Sequence, residues 1–165
     1  MTGTARAIRW LFAAAMTALA AAPSQAAYRC DVTTSGGINF LTYDPFGPAP
    51  TASATVTLTC THLSGGNEFI NWTMTLSNGS SGSCANRQMQ RQSTPAATLD
   101  YNVYQGATST VWGNGSCGSF PSGQLQVNNG NPSAFTTQTM RGILPAGQTA
   151  PVGSYLDTLV LTVSF

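Results

Sequence analysis

The side chains able to do chemistry are few and scattered. His62 is the single histidine, and the five carboxylates are Asp31, Asp44, Glu68, Asp100 and Asp157. General acid–base catalysis needs titratable groups within reach of one substrate. A zinc site needs three or four Cys, His or carboxylate ligands at suitable spacing. His62 has no cysteine or acid at ligand spacing, so it reads as a surface-loop histidine after a strand ending at Cys60. Gly113-Asn114-Gly115-Ser116-Cys117-Gly118 matches G-x-G-x-x-G. That pattern holds a pyrophosphate only where a strand runs into a helix, and the surroundings here are turns. Ser80, Ser81 and Ser83 crowd one loop without a G-x-S-x-G elbow. Trp112 could stack on a ligand, although a packed Trp is the commoner case. Three matches to the N-glycosylation pattern, at Asn71, Asn78 and Asn114, carry no weight in so Asn- and Ser-rich a chain. The expectation is no catalytic residue, no cofactor, no metal and no enzyme.

Composition agrees. Only 7% of the 165 residues are charged and there is no Lys, while 42% are hydrophobic. Soluble domains average roughly 25% charged residues. A net charge of +1 argues against nucleic acid, whose binders carry a basic face. The chain is solvated by hydroxyls and amides rather than by charges.

Residues 1–26 read as a secretory signal peptide. Arg6 and Arg9 precede an apolar run from Trp10 to Ala22, Pro23 breaks it, and Ser24-Gln25-Ala26 suits a signal peptidase. The run is shorter than the ~20 residues that span a bilayer. The expected mature domain is 27–165, with four Arg against five acids and no membrane span. It is one domain, large enough for a full core. Export places Cys30, Cys60, Cys84 and Cys117 in an oxidising compartment. None forms C-x-x-C. Four cysteines allow three pairings, and Cys30–Cys60 with Cys84–Cys117 is preferred.

What must position these residues is strand. Val56, Leu58 and Cys60 alternate with threonines. Ile70, Trp72, Met74 and Leu76 alternate with Asn71, Thr73 and Thr75. Leu99, Tyr101 and Val103 form a third apolar face, and Leu159, Leu161, Val163 and Phe165 a fourth. Period-2 alternation marks half-buried strands. The clusters Gly65–Asn67, Asn78–Ser80, Gly113–Gly115 and Asn128–Pro132 mark turns. No stretch of the mature chain shows helical periodicity. An all-β sandwich or barrel follows.

Several segments together resemble the spore coat protein U domain family, which includes the pilins of archaic, Csu-type chaperone–usher pili. Ile38-Asn39-Phe40-Leu41-Thr42-Tyr43-Asp44-Pro45 is similar to an early N-F-G-x-Y-x-P segment, with Leu41 where the family has Gly. Arg87-Gln88-Met89 resembles an R-x-M. Leu99–Tyr104 resembles a Y-x-L-Y strand, and Val111–Gly115 a W-G-D-G turn with Asn for Asp. Arg141–Gln148 resembles Y-G-x-I-P-A-G-Q. Pro151–Val163 resembles the terminal P-x-G-x-Y-x-D-T-V-x-V-T-V.

The resemblance implies an immunoglobulin-like β-sandwich lacking its last strand, with two disulfides. It implies β-strand addition: a periplasmic pilus chaperone lends a strand, and a neighbouring pilin subunit replaces it at an outer-membrane usher. The donor-strand groove is expected to be lined by Leu159, Leu161, Val163 and Phe165, with a first strand around Ile38 and Phe40. A donor segment needs roughly ten residues, at ~3.3 Å each. Only Ala27, Tyr28 and Arg29 stand between the predicted cleavage site and Cys30. The expectation is a tip or terminal subunit of a surface fibre, exported through the periplasm and serving adhesion or biofilm formation. The rival reading is a secreted spore-coat or matrix protein whose sandwich is complete alone. A carbohydrate-binding module using Trp112 or Tyr104 comes third.

Overall fold

The computed structural model describes residues 27–165, so the expected signal peptide, residues 1–26, lies outside the described residues. Nine strands and no helix form the described chain. They are β1 (Tyr28–Thr34), β2 (Thr51–His62), β3 (Glu68–Leu76), β4 (Arg87–Arg91), β5 (Thr98–Gln105), β6 (Ser122–Val127), β7 (Ser133–Ile143), β8 (Tyr155–Leu156) and β9 (Leu161–Ser164). One sheet has the order β1-β2-β7-β5-β4-β8 and the other β6-β3-β9, with every named pairing antiparallel. The two sheets face one another across one core as an immunoglobulin-like sandwich.

The alternation in the sequence is the packing. Val56, Leu58 and Cys60 of β2, Ile70, Trp72, Met74 and Leu76 of β3, and Leu99, Tyr101 and Val103 of β5 are all buried. Burying each large apolar side chain contributes on the order of 1.5–3 kcal/mol. Two disulfides cross-link this frame. Cys30–Cys60 joins directly opposed residues of β1 and β2, and Cys84–Cys117 joins two loops.

The first strand is displaced from its expected place. β1 begins at Tyr28, and Ile38 and Phe40 lie beyond it in an irregular segment spanning 35–50. Gly36, at φ 108, turns the chain off the β1–β2 ladder just after Ser35 N–H donates to Thr55 O. Pro45, Pro48 and Pro50 then supply no amide donors. β2 is longer than its apolar core suggests, so His62 is the last residue of a strand rather than part of a loop. β9 is shorter than expected, because the Val160 amide donates to the Ser77 hydroxyl at 2.9 Å.

β7 carries no apolar run, yet it is central to the larger sheet, between β2 and β5. Its polar residues are satisfied laterally, as in the 2.8 Å bond between the hydroxyls of Thr57 and Thr137.

Candidate functional site

The site is a slot between two stretches of backbone. One wall is β9, which among the described residues pairs only with β3. Ser77 N–H donates to Val160 O, while the amides of Met74 and Leu76 donate away from β9, to Pro121 O and Gly113 O. Successive residues of an antiparallel ladder alternate their hydrogen-bonding side. Val160, Thr162 and Ser164 therefore turn their backbone groups toward β3. Leu161 and Val163 turn theirs toward the open edge, while their side chains pack against the core.

The other wall is a strap, residues 36–43. Ser35 anchors one end through its bond to Thr55 O, and the Thr55 amide donates back to the Ser35 hydroxyl at 2.8 Å. Tyr43 anchors the other: its hydroxyl donates to Pro145 O and accepts from the Gln148 amide. Between these anchors no strap residue makes a backbone–backbone hydrogen bond with any described residue. The middle is held by Ile38 and Phe40, which lie over the bare backbone of Gly142 in β7. A Cβ on Gly142 would come within 2.6 Å of both side chains. Phe40 also meets Tyr101 edge-on, ring centres 6.0 Å apart.

Between the strap and the 150–161 segment, which reaches β9 at Leu161, opens a cavity of about 1040 Å³. Its floor is apolar, from Leu76, Met89, Leu99, Met140 and Leu144. Of the residues expected to line a groove, Ile38, Phe40, Leu159 and Leu161 face this one cavity. Val163 packs against the core one step further along β9, and Phe165, past its end, is half-exposed; neither lines the cavity.

Two polar groups that the sequence did not single out as a site are densely hydrogen-bonded, Asp157 in the lining of the slot and Arg87 within the core. Asp157 accepts from the Ser80 amide and hydroxyl, from the Tyr101 hydroxyl at 2.7 Å and from the Thr158 amide. Burial pushes the Asp157 carboxyl up, but the Ser80 and Tyr101 bonds outweigh it and leave the group below the ordinary carboxylate value. The Tyr101 phenol is raised, by burial first and by its bond to Asp157 second. Arg87 is fully buried. Its guanidinium donates to Ser77 O, Trp112 O and Asn102 Oδ1, with 2.8 Å bonds to each. Burial lowers its pKa from the ordinary value, and a guanidinium remains charged at neutral pH. The only signal for either was the Arg and the Asp within the family-like segments.

The remaining chemistry-bearing residues do not converge. Among the described residues no group of three His, Cys, Asp or Glu could hold a metal ion. Trp112 is fully buried and donates its indole N–H to Met74 O at 2.8 Å, so it presents no face to a ligand. Tyr104 lies half-buried under Arg141, 5.5 Å from the guanidinium. The G-x-G-x-x-G segment is a tight turn. A Cβ on Gly113 would fall 1.7 Å from Cys117 O, and Asn114 Oδ1 accepts from the Ser116 and Cys117 amides. No helix follows it to receive a phosphate.

Compared with known proteins, residues 15–162 match the family described as Spore Coat Protein U domain. No curated protein matches the sequence significantly. Among solved structures, the chain is similar to the CsuC–CsuE chaperone–tip adhesion subunit pre-assembly complex from archaic chaperone–usher Csu pili of Acinetobacter baumannii. That match has 19% identity and a TM-score of 0.48, and covers 84% of this chain and 40% of that one. The chain therefore spans about two-fifths of the length of that structure.

Proposed function

The chain belongs to the Spore Coat Protein U domain family, and from that premise we propose that it is a subunit of a secreted surface fibre that accepts a β-strand from its partners. The observation that carries this reading is the slot itself. One wall is reached by Leu161 of β9 and the other is the 36–43 strap, and among the described residues both present unpaired backbone over an apolar floor. An exposed edge of this kind templates pairing with another chain. A partner strand with alternating apolar residues would satisfy both walls and cover Leu76, Met89, Leu99 and Met140. The donors are a periplasmic pilus chaperone before assembly and a neighbouring subunit after it, delivered through an outer-membrane usher. The fibre serves attachment or biofilm formation at the cell surface.

The subunit stands at the end of the fibre. This reading is supported by Tyr28 and Arg29, which are paired with His62 and Thr61 inside their own sheet and so already have strand partners. The test is expression of residues 1–165 in an oxidising periplasm, with and without a chaperone of the chaperone–usher class, read by native mass spectrometry. A 1:1 complex, with loss of soluble protein when the chaperone is left out, is the expected result. A stable lone monomer that ignores the chaperone would move the chain to the rival reading, a coat or matrix protein with a self-sufficient fold.

A further inference from the structure

Leu41 is the single non-glycine residue at positive φ among the described residues, at φ 57. An L-residue in this left-handed region brings Cβ against the following carbonyl. The side chain gains nothing in exchange, because it is 85% exposed. It stands in the strap and at the wall of the slot. Its amide donates to Asn39 Oδ1 at 2.9 Å, the one hydrogen bond that the backbone between Gly36 and Thr42 makes among the described residues. The residue thus combines an unfavourable backbone conformation, a solvated apolar side chain and a local polar cap, at the centre of an otherwise unpaired segment anchored at both ends.

We infer that Leu41 is a two-state hinge that biases the slot toward capture of a strand. This rests on the strand-acceptor reading above. While the slot is empty, Asn39 holds Leu41 in the left-handed state. When a strand enters, Leu41 passes to the extended region, its amide leaves Asn39 and pairs with the incoming backbone, and the steric penalty is released. The strain of the free state thereby becomes part of the affinity for the partner. A glycine at this position would have no such penalty to release.

Opposite shifts from two sites test the hinge. The probe is a labelled synthetic peptide of alternating Val and Thr, capped at both ends, titrated against the oxidised chain by fluorescence anisotropy. Leu41→Gly and Leu41→Asn, which both tolerate the left-handed state, should weaken peptide binding roughly 5- to 30-fold, while raising the melting temperature of the free protein. Asn39→Ala removes the cap, and should lower the free protein's melting temperature while tightening binding. Amide exchange at 36–43 should slow when peptide binds the wild type. Binding by the wild type that neither Leu41 variant weakens, or that Asn39→Ala weakens, overturns the hinge alone. A wild-type chain that binds no strand, this peptide or a chaperone's, overturns the acceptor reading and the hinge with it.

Discussion

Arg87 carries a full charge in the core without a carboxylate in hydrogen-bond contact, held only by the neutral oxygens of Ser77, Asn102 and Trp112. Ser77 follows β3 in one sheet and Asn102 belongs to β5 in the other, so a single side chain stitches the sandwich across its core. Arg87→Lys keeps the charge but cannot fork to three acceptors. It should destabilise the fold by about 3–5 kcal/mol, since buried acceptors left unpaired each cost ~1–3 kcal/mol; chemical denaturation of the oxidised protein would measure it. Asp157 supports the same region from the other side. Asp157→Ala should cost about 1.5–3 kcal/mol, with the exchange of the Ser80 and Thr158 amides accelerated. Because the folded carboxyl lies below its ordinary value, folding favours the ionised form. That contribution is complete above the unfolded pKa of about 3.9 and drains away as pH falls through the folded one. Wild type should therefore lose more stability than Asp157→Ala below about pH 4, and the gap between them should stay flat from pH 7 to pH 5.

At the scale of elements, the strap is positioned by what β7 lacks. Gly142 has no side chain, and Ile38 and Phe40 occupy the space one would fill. Gly142→Ala should lift the strap off β7 with little effect on the ladder between β2 and β7, and a fall in the protection of the 36–43 amides would report it. β9 offers the complementary test. Leu161 turns its side chain into the slot and its backbone toward the open edge. Leu161→Asp would place a carboxylate in an apolar cavity with no cationic partner, a costly burial once a strand covers it. Capture of a partner strand should be lost, with at most a modest fall in the melting temperature of the free chain.

For the whole molecule, covalent constraint matters more than charge. The two disulfides span separations of 30 and 33 residues. The chain-entropy model assigns each about 3.5 to 4 kcal/mol, against a typical net stability of ~5–15 kcal/mol. Ion pairs add little, since the salt bridge among the described residues joins the exposed side chains of Arg29 and Asp31. Reduction with dithiothreitol should lower the melting temperature far more than a shift from pH 7 to pH 5. An equal or larger pH effect in a calorimetric scan would contradict that.

Strand-forming runs whose inner face is wholly apolar were legible residue by residue. Val56-x-Leu58-x-Cys60, Ile70-x-Trp72-x-Met74-x-Leu76 and Leu99-x-Tyr101-x-Val103 point inward as their alternation requires, because a strand repeats every two residues and only one face meets the core. β7 was not legible, since a strand flanked on both sides can carry threonines and glutamines whose hydroxyls and amides are satisfied by its neighbours. The slot was half legible. Leu159 and Leu161 announced one wall through their period. Ile38 and Phe40 reached the other wall without forming the expected strand, because Gly36 and the prolines after Tyr43 keep that backbone off any ladder. The buried positions of Arg87 and Trp112, and the convergence of Asp157, Tyr101 and Ser80, were decided only by the tertiary structure. Those contacts join residues far apart in the chain, and no local period encodes a long-range meeting. The sequence by itself determined which faces seek burial; which of them the fold leaves uncovered depended on where both sheets end.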